Sequence, residues 1–149
     1  MRVARLIAKV PPARGGKEIH GAELSRALAA LGIRQTVFAR TGDPIGSDVE
    51  LEVMGGPFTA DRRRDLLAYS AWAAARIVRS HRRTPFDVIH AHGDFVEAAA
   101  AAAAGAICRV PVMLTIHARP PRWCASGRTR GAAPGRAMAP ARGRHGWSA

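Results

Sequence analysis

Four short runs of this sequence carry residues suited to chemistry. The first is Lys9–His20, in which Pro11-Pro12 and the pair Gly15-Gly16 lead into Glu18 and His20. The second is Phe86–His92, which ends His90-Ala91-His92, and the third is Val110–His117. The fourth is the arginine-rich C-terminal stretch. Glycines at the mouth of a helix let a ligand approach the backbone with no Cβ in the way. The helix N-terminus behind them offers unpaired N–H groups and a positive dipole end, which suits phosphate or another anion. The pair is not a GxGxxG fingerprint. Nor is it a P-loop, because Lys17 follows the glycines directly and Glu18 stands where Ser or Thr would be. Taken alone, Gly15-Gly16 would be a turn between a strand and a helix. Glu18 would complement the helix dipole as readily as it would contact a ligand.

The histidines have plain alternatives too. His90 is expected to be a packed residue, turned away from the face that His92 presents. His92 and His117 would each end a strand. His20, His92 and His117 together have the residue types of a zinc site, but nothing in their spacing gives a metal-ligand pattern, so no metal is expected. No other cofactor is expected.

These residues need elements to hold them. Arg2–Val10 reads as a buried strand and Glu18–Leu31 as a helix with Leu24, Ala27, Leu28 and Leu31 on one face, stopped by Gly32. Gln35–Ala39 is a second strand, followed by the turn cluster Thr41–Pro44. Val49, Leu51 and Val53 alternate with Asp48, Glu50 and Glu52, the pattern of an edge strand. A helix capped by Thr59 runs to about Arg79, with Leu67, Ala71, Trp72, Ala74, Ile77 and Val78 facing the core. Its flanking arginines (Arg62, Arg63, Arg64, Arg79, Arg82 and Arg83) read as a solvated face. Phe86–Ala91 is a fourth strand, Asp94–Ile107 an alanine-rich helix and Val110–Ile116 a fifth strand. Helices alternating with apolar strands predict an α/β fold, a Rossmann-like parallel sheet of about five strands. Right-handed crossovers then place a ligand crevice at the carboxyl ends of the strands. The Gly-Gly loop, His90–Asp94 and His117 all fall at those ends.

Composition bounds the rest. The chain has 149 residues and a formal charge of +12, and all of its 11 acids precede residue 98. Residues 119–149 hold seven Arg and no acid, with neither amphipathic period nor β run. That segment is expected to be a disordered basic tail, set apart from a domain over residues 1–118. Cys108 and Cys124 make neither a disulfide framework nor a metal pattern, so a reducing cytoplasm is the expected compartment. Arg5 and Lys9 interrupt the N-terminal apolar run, which therefore does not read as a signal peptide. Ala98–Ala104 is too short to span a membrane.

The strand–Pro-Pro–Gly-Gly–Glu18-Ile19-His20–helix run resembles the start of glycosyltransferase family 4, whose members are retaining enzymes of the two-lobed GT-B fold. Phe86-Asp87-Val88-Ile89-His90-Ala91-His92 and Val110-Pro111-Val112-Met113-Leu114-Thr115-Ile116-His117 resemble two further strands of that family. The likeness covers residues 2–118. It implies an acceptor-binding N-terminal lobe, half of a GT-B fold, with the glycine-rich loop at the cleft. It implies that His92 lies beside the transferred sugar as a catalytic residue and that Gly15, Gly16, Glu18, His20 and His117 bind substrate. The implied partners are a nucleotide-sugar donor and a sugar, lipid or small-molecule acceptor, and peripheral membrane association is compatible with them. The family's second lobe carries two Glu separated by seven residues, and this chain has no acid after Glu97. The expectation is therefore a truncated lobe, inactive alone. Two readings compete with this one. In one, an α/β module uses its arginine-rich tail on nucleic acid or an acidic partner. In the other, the chain is a nicotinamide-dinucleotide enzyme, which would want GxGxxG and an acid where Arg40 stands.

Overall fold

A computed structural model describes residues 1–13, 15–56, 61–93 and 95–117. Its elements are β1 (Arg2–Leu6), α1 (Gly16–Ala30), β2 (Arg34–Ala39), β3 (Glu50–Val53), α2 (Arg62–Arg83), β4 (Val88–His92), α3 (Phe95–Cys108) and β5 (Val112–Thr115). The strands form one sheet in the order β3-β2-β1-β4-β5, and every ladder is parallel. This is the expected α/β, Rossmann-like sheet of five strands with flanking helices. The expected basic tail, 119–149, lies outside the described residues.

β1 is central, and Val3 through Ile7 are all buried, as a parallel strand covered on both faces requires. One face carries Ala4, Leu6, Phe38, Ile89 and Ala91. They pack against Tyr69, Ala73 and Ile77 of α2 and Ala100, Ala101 and Ala104 of α3. The other face carries Ile7, Val37 and Ala39, packed with Val10, Ile45, Val49 and Ala22 of α1. The first strand stops at Leu6 rather than Val10, with Lys9 making a single bridge to Thr41. Beyond it the chain is held by the turn cluster: Val10 N–H donates to Thr41 O at 3.1 Å and Asp43 N–H to Pro11 O at 2.7 Å. Gly42 has φ +135°, and a Cβ there would run into Val10 Cγ2 and lie 2.7 Å from Val10 O.

Two helix faces differ from the expected ones. α1 buries Gly21, Ala22 and Ser25, while Ala27 and Leu31 are exposed and Leu24 and Leu28 only half-buried. The reason lies in the sheet beneath. Arg5 points to this face, fully buried, and donates through NH1 to Gly21 O at 3.1 Å, to Ser25 Oγ and to Gln35 Oε1. Small residues let the helix backbone come down to that guanidinium. Gly32, at φ +72°, ends the helix as expected. α2 is capped by Asp61, whose carboxylate accepts from the Arg63 and Arg64 amides. Thr59, the expected cap, lies outside the described residues. Tyr69, Ala73 and Ile77 set the buried face of α2, and Leu67 is 70% exposed. Tyr69 can be buried there because its hydroxyl donates to Phe38 O at 3.0 Å. Arg63, Arg64, Arg79, Arg82 and Arg83 are exposed, as expected.

β3 is an edge strand, as its alternation predicts, and β5 is the other. α3 lies close to β5. A Cβ on Gly105 would strike Val112 Cγ2 and sit 3.0 Å from Val110 O.

Candidate functional site

Because β1 is flanked by β2 on one side and β4 on the other, the strand order reverses between β1 and β4. In a parallel sheet that reversal opens a crevice beyond the carboxyl ends of the strands. Three segments reach this rim: the loop from β1 into α1, the end of β4, and the residues after β5. Each brings one histidine. His20 is on the second turn of α1, His92 ends β4, and His117 follows β5 by two residues. His92 and His117 meet with their Nε2 atoms 2.9 Å apart. The His20 ring stacks on His92 at 5.0 Å and 9°, and meets His117 edge-on at 5.4 Å. Each of the three offers a nitrogen, and these nitrogens all lie within 4.8 Å of one another. His92 is fully buried, while His20 and His117 are exposed. The cluster is thus closed on the sheet side and open to solvent.

Gly21 makes this convergence possible. A Cβ there would lie 2.9 Å from Ile7 Cδ1 and 3.4 Å from His92 Cδ2. Gly16 opens α1 one turn before His20, so the glycine pair and the imidazoles share one rim. Gly15 is the N-cap residue and has no side-chain cap. The Glu18 carboxylate folds back over Gly15, so a Cβ at Gly15 would run into it. That places Glu18 at the third position of the helix, where an acid serves the helix start. Gly16 has open space around its Cα.

His90 is packed, as expected, and its Nε2 is 2.8 Å from Thr115 Oγ1. It is not turned away from His92, however. Residues two apart in a strand point the same way, and the two rings meet edge-on at 5.6 Å. Burial, then the Arg5 guanidinium and His20, push His90 down to about 4. Burial, then Arg5 and the neighbouring histidines, push His92 down to about 3. Both imidazoles are therefore neutral at pH 7, and each can accept a hydrogen bond or a metal ion through a lone pair. The His92 Nδ1 is buried without a hydrogen-bond partner among the described residues. Arg5 itself is lowered to about 10 by burial and keeps its charge at pH 7.

Two residues at this rim escaped the sequence reading. Lys17 Nζ lies 2.9 Å from Glu97 Oε1, and the Glu97 side chain is 6% exposed. Glu97 also accepts the Ala8 amide at 3.3 Å. The pair ties the starts of α1 and α3 to the loop after β1. The visible signals were a lone acid opening an otherwise apolar helix and a lysine directly after the glycines. At the opposite rim a cleft of about 190 Å³ is lined by Arg2, Glu50, Glu52, Arg76 and Arg83 among others. There Arg76 pairs with Glu52 and Arg2 with Glu50, an arrangement that supports the edge strand.

The sequence matches Glycosyltransferase Family 4 over residues 14–146. It is 37% identical over 89 residues to the D-inositol 3-phosphate glycosyltransferase of Frankia alni, a stretch that is 52% of this chain and 22% of that protein. The chain thus spans about a fifth of the curated relative it matches. Among solved structures, sucrose-phosphate synthase from Thermosynechococcus elongatus aligns with a TM-score of 0.56 at 17% identity, covering 79% of this chain and 64% of that one. The glycotransferase of kitacinnamycin aligns with a TM-score of 0.53 at 20% identity, covering 77% and 30%. At such identities the two structures establish a shared fold. No helix among the described residues is long and apolar enough to cross a membrane.

Proposed function

The chain belongs to Glycosyltransferase Family 4, and from that premise we propose that it is the acceptor-side lobe of an enzyme that transfers a sugar from a nucleotide-sugar donor. The observation that carries this reading is the convergence of His20, His92 and His117 beside the glycine mouth of α1, at the reversal point of the sheet. In this reading the lobe is residues 1–118, and 119–149 are an appended basic tail.

His92 is the catalytic residue. Held neutral by burial, it orients a hydroxyl of the transferred sugar or faces the charge that develops at the reacting carbon. His20 and His117 flank it and bind the sugars. Gly16 leaves its amide open to a diphosphate oxygen at the positive end of α1. Gly15 gives room to the Glu18 carboxylate, which fixes the helix start that presents that amide.

Transfer needs the donor held across two lobes with water excluded. No acid follows Glu97 in the sequence, so the paired glutamates of a donor lobe are not among these 149 residues. In this reading the acceptor-side lobe transfers no sugar without a donor lobe. The test is transfer from a panel of nucleotide sugars, with the chain alone and with a family donor lobe supplied. D-inositol 3-phosphate is the first acceptor to try, because the Frankia relative is named for it. Transfer in a complemented pair, lost in His92→Ala, is the expected result. Transfer by no combination, or full transfer by His92→Ala, overturns the reading.

A further inference from the structure

We propose that His20, His92 and His117 bind one divalent ion of the zinc class, with three imidazole ligands and a fourth position open to water or an anion. The proposal concerns the same rim as the glycosyltransferase reading but does not rest on it.

The nitrogen spacing is close to what a tetrahedral ion requires, and the exposed His20 ring, now stacked on His92, has to turn to aim its lone pair at the ion. At zinc–nitrogen distances of about 2.0–2.1 Å, ligand nitrogens stand about 3.3 Å apart. The His92 and His117 Nε2 atoms are at 2.9 Å, and the widest separation in the trio is within 4.8 Å. The adjustments needed fall on the two residues able to make them. His92 is fully buried at the end of a strand and fixed. His20 projects from a helix and His117 follows a strand, and both are exposed.

The ligands come from three separate elements of the fold, so the site is assembled by the sheet and not by a local loop. The His92 and His117 Nε2 atoms face each other at hydrogen-bond distance, 2.9 Å. An ion between them satisfies both lone pairs at once. Solvent exposure on the His20 and His117 side leaves the fourth position accessible.

The donor set selects the ion. Three imidazoles with no carboxylate among them suit zinc, cobalt, nickel or copper, and exclude magnesium and calcium. Two features hold the affinity down. Arg5 is a buried cation on the strand next to β4. Among the described residues, His92 Nδ1 has no carboxylate or carbonyl partner of the kind that makes a metal-bound histidine more basic.

The test is titration of the full chain with Co²⁺ and with Zn²⁺. One equivalent of Co²⁺ should give the visible absorption of a four-coordinate ion without the near-ultraviolet band of a thiolate ligand, so that Cys108 and Cys124 are excluded. Zn²⁺ should displace it at one ion per chain. Loss of an outer-shell partner alone weakens metal binding by about 10–100-fold, so His20→Ala and His117→Ala should each weaken zinc by more than about tenfold. Both positions are exposed, and a native far-ultraviolet circular dichroism spectrum confirms that the variants fold. Cys108→Ser should change nothing. No cobalt band and no zinc retained after dialysis, or zinc affinity in the two folded histidine variants equal to that of the unsubstituted chain, overturns the proposal. None of these outcomes touches the transferase reading, which is judged by product formation.

Discussion

Replacing Lys17 by Met should destabilise this domain more than replacing its partner Glu97 by Gln. The two are joined at 2.9 Å, with the lysine side chain 25% exposed and the glutamate 6%. When Lys17 is lost, the Glu97 carboxylate stays buried with the Ala8 amide at 3.3 Å as its remaining support. Breaking one side of a fully buried pair costs about 3–5 kcal/mol. Water reaching the lysine end reduces that, and about 2–3 kcal/mol is expected for Lys17→Met. Glu97→Gln leaves an ammonium that can turn to solvent, and its amide can still accept from Ala8, so about 1 kcal/mol is expected. Urea unfolding followed by far-ultraviolet circular dichroism measures both. With a slope of about 2 kcal/mol per molar, Lys17→Met should move the midpoint down by about 1 M. The double variant completes a cycle whose coupling should exceed about 1 kcal/mol. Equal losses in the two single variants, or a coupling below about 0.5 kcal/mol, would refute the view that the pair is a buried, one-sided support.

Three further outcomes follow from close contacts. Gly42→Ala forces a side chain into φ +135° and against the Val10 and Pro11 carbonyls, and should cost about 2–4 kcal/mol in the same unfolding assay. Gly105→Ala gains helix propensity of about 1 kcal/mol but collides with Val112 and the Val110 carbonyl. A net loss of about 1–2 kcal/mol is expected, partly rescued by Val112→Ala. Tyr69 is the chain's single tyrosine, and burial, then the Glu97 charge, raise its hydroxyl well above the usual value of 10. The unfolded chain releases that proton near pH 10 and the native chain holds it. This contribution to stability is therefore complete below pH 10 and is lost as pH rises above it. Alkaline titration should show tyrosinate absorbance appearing only together with loss of the native circular dichroism spectrum.

The order of elements was readable because apolar runs, glycine stops and helical spacing agree locally. The Thr41–Pro44 turn, the Gly32 stop and the edge position of β3 stand where those signals put them, but the alternation of β3 does not hold to its end, where Val53 is exposed and Glu52 half-buried against Arg76. What was hidden depends on partners distant in the chain. The leucines of α1 suggested the wrong face because the surface beneath that helix contains a buried arginine and a histidine, which only small residues can accommodate. The frame of α2 turns on the Phe38 carbonyl that receives the Tyr69 hydroxyl, 31 residues away in sequence. Lys17 and Glu97 are 80 residues apart, and no spacing rule links them. Strand ends placed His92 and His117 on one rim, but their meeting at 2.9 Å requires β4 and β5 to be neighbours in register. The shared face of His90 and His92 was available from strand period alone.

The all-parallel sheet with β1 at its centre has a temporal consequence. β1 is synthesised first, yet one of its two ladders joins Val3 to Val88, about 85 residues later in the chain. At about 5–20 residues per second a ribosome needs about 4–17 s to reach that partner. Throughout that interval the central strand of the domain, buried from Val3 to Leu6 in the finished sheet, has at best one flank covered, by β2. A nascent chain in this state is a natural client for holding factors, and its productive yield should depend more on elongation speed and chaperone supply than on the final stability of the native sheet.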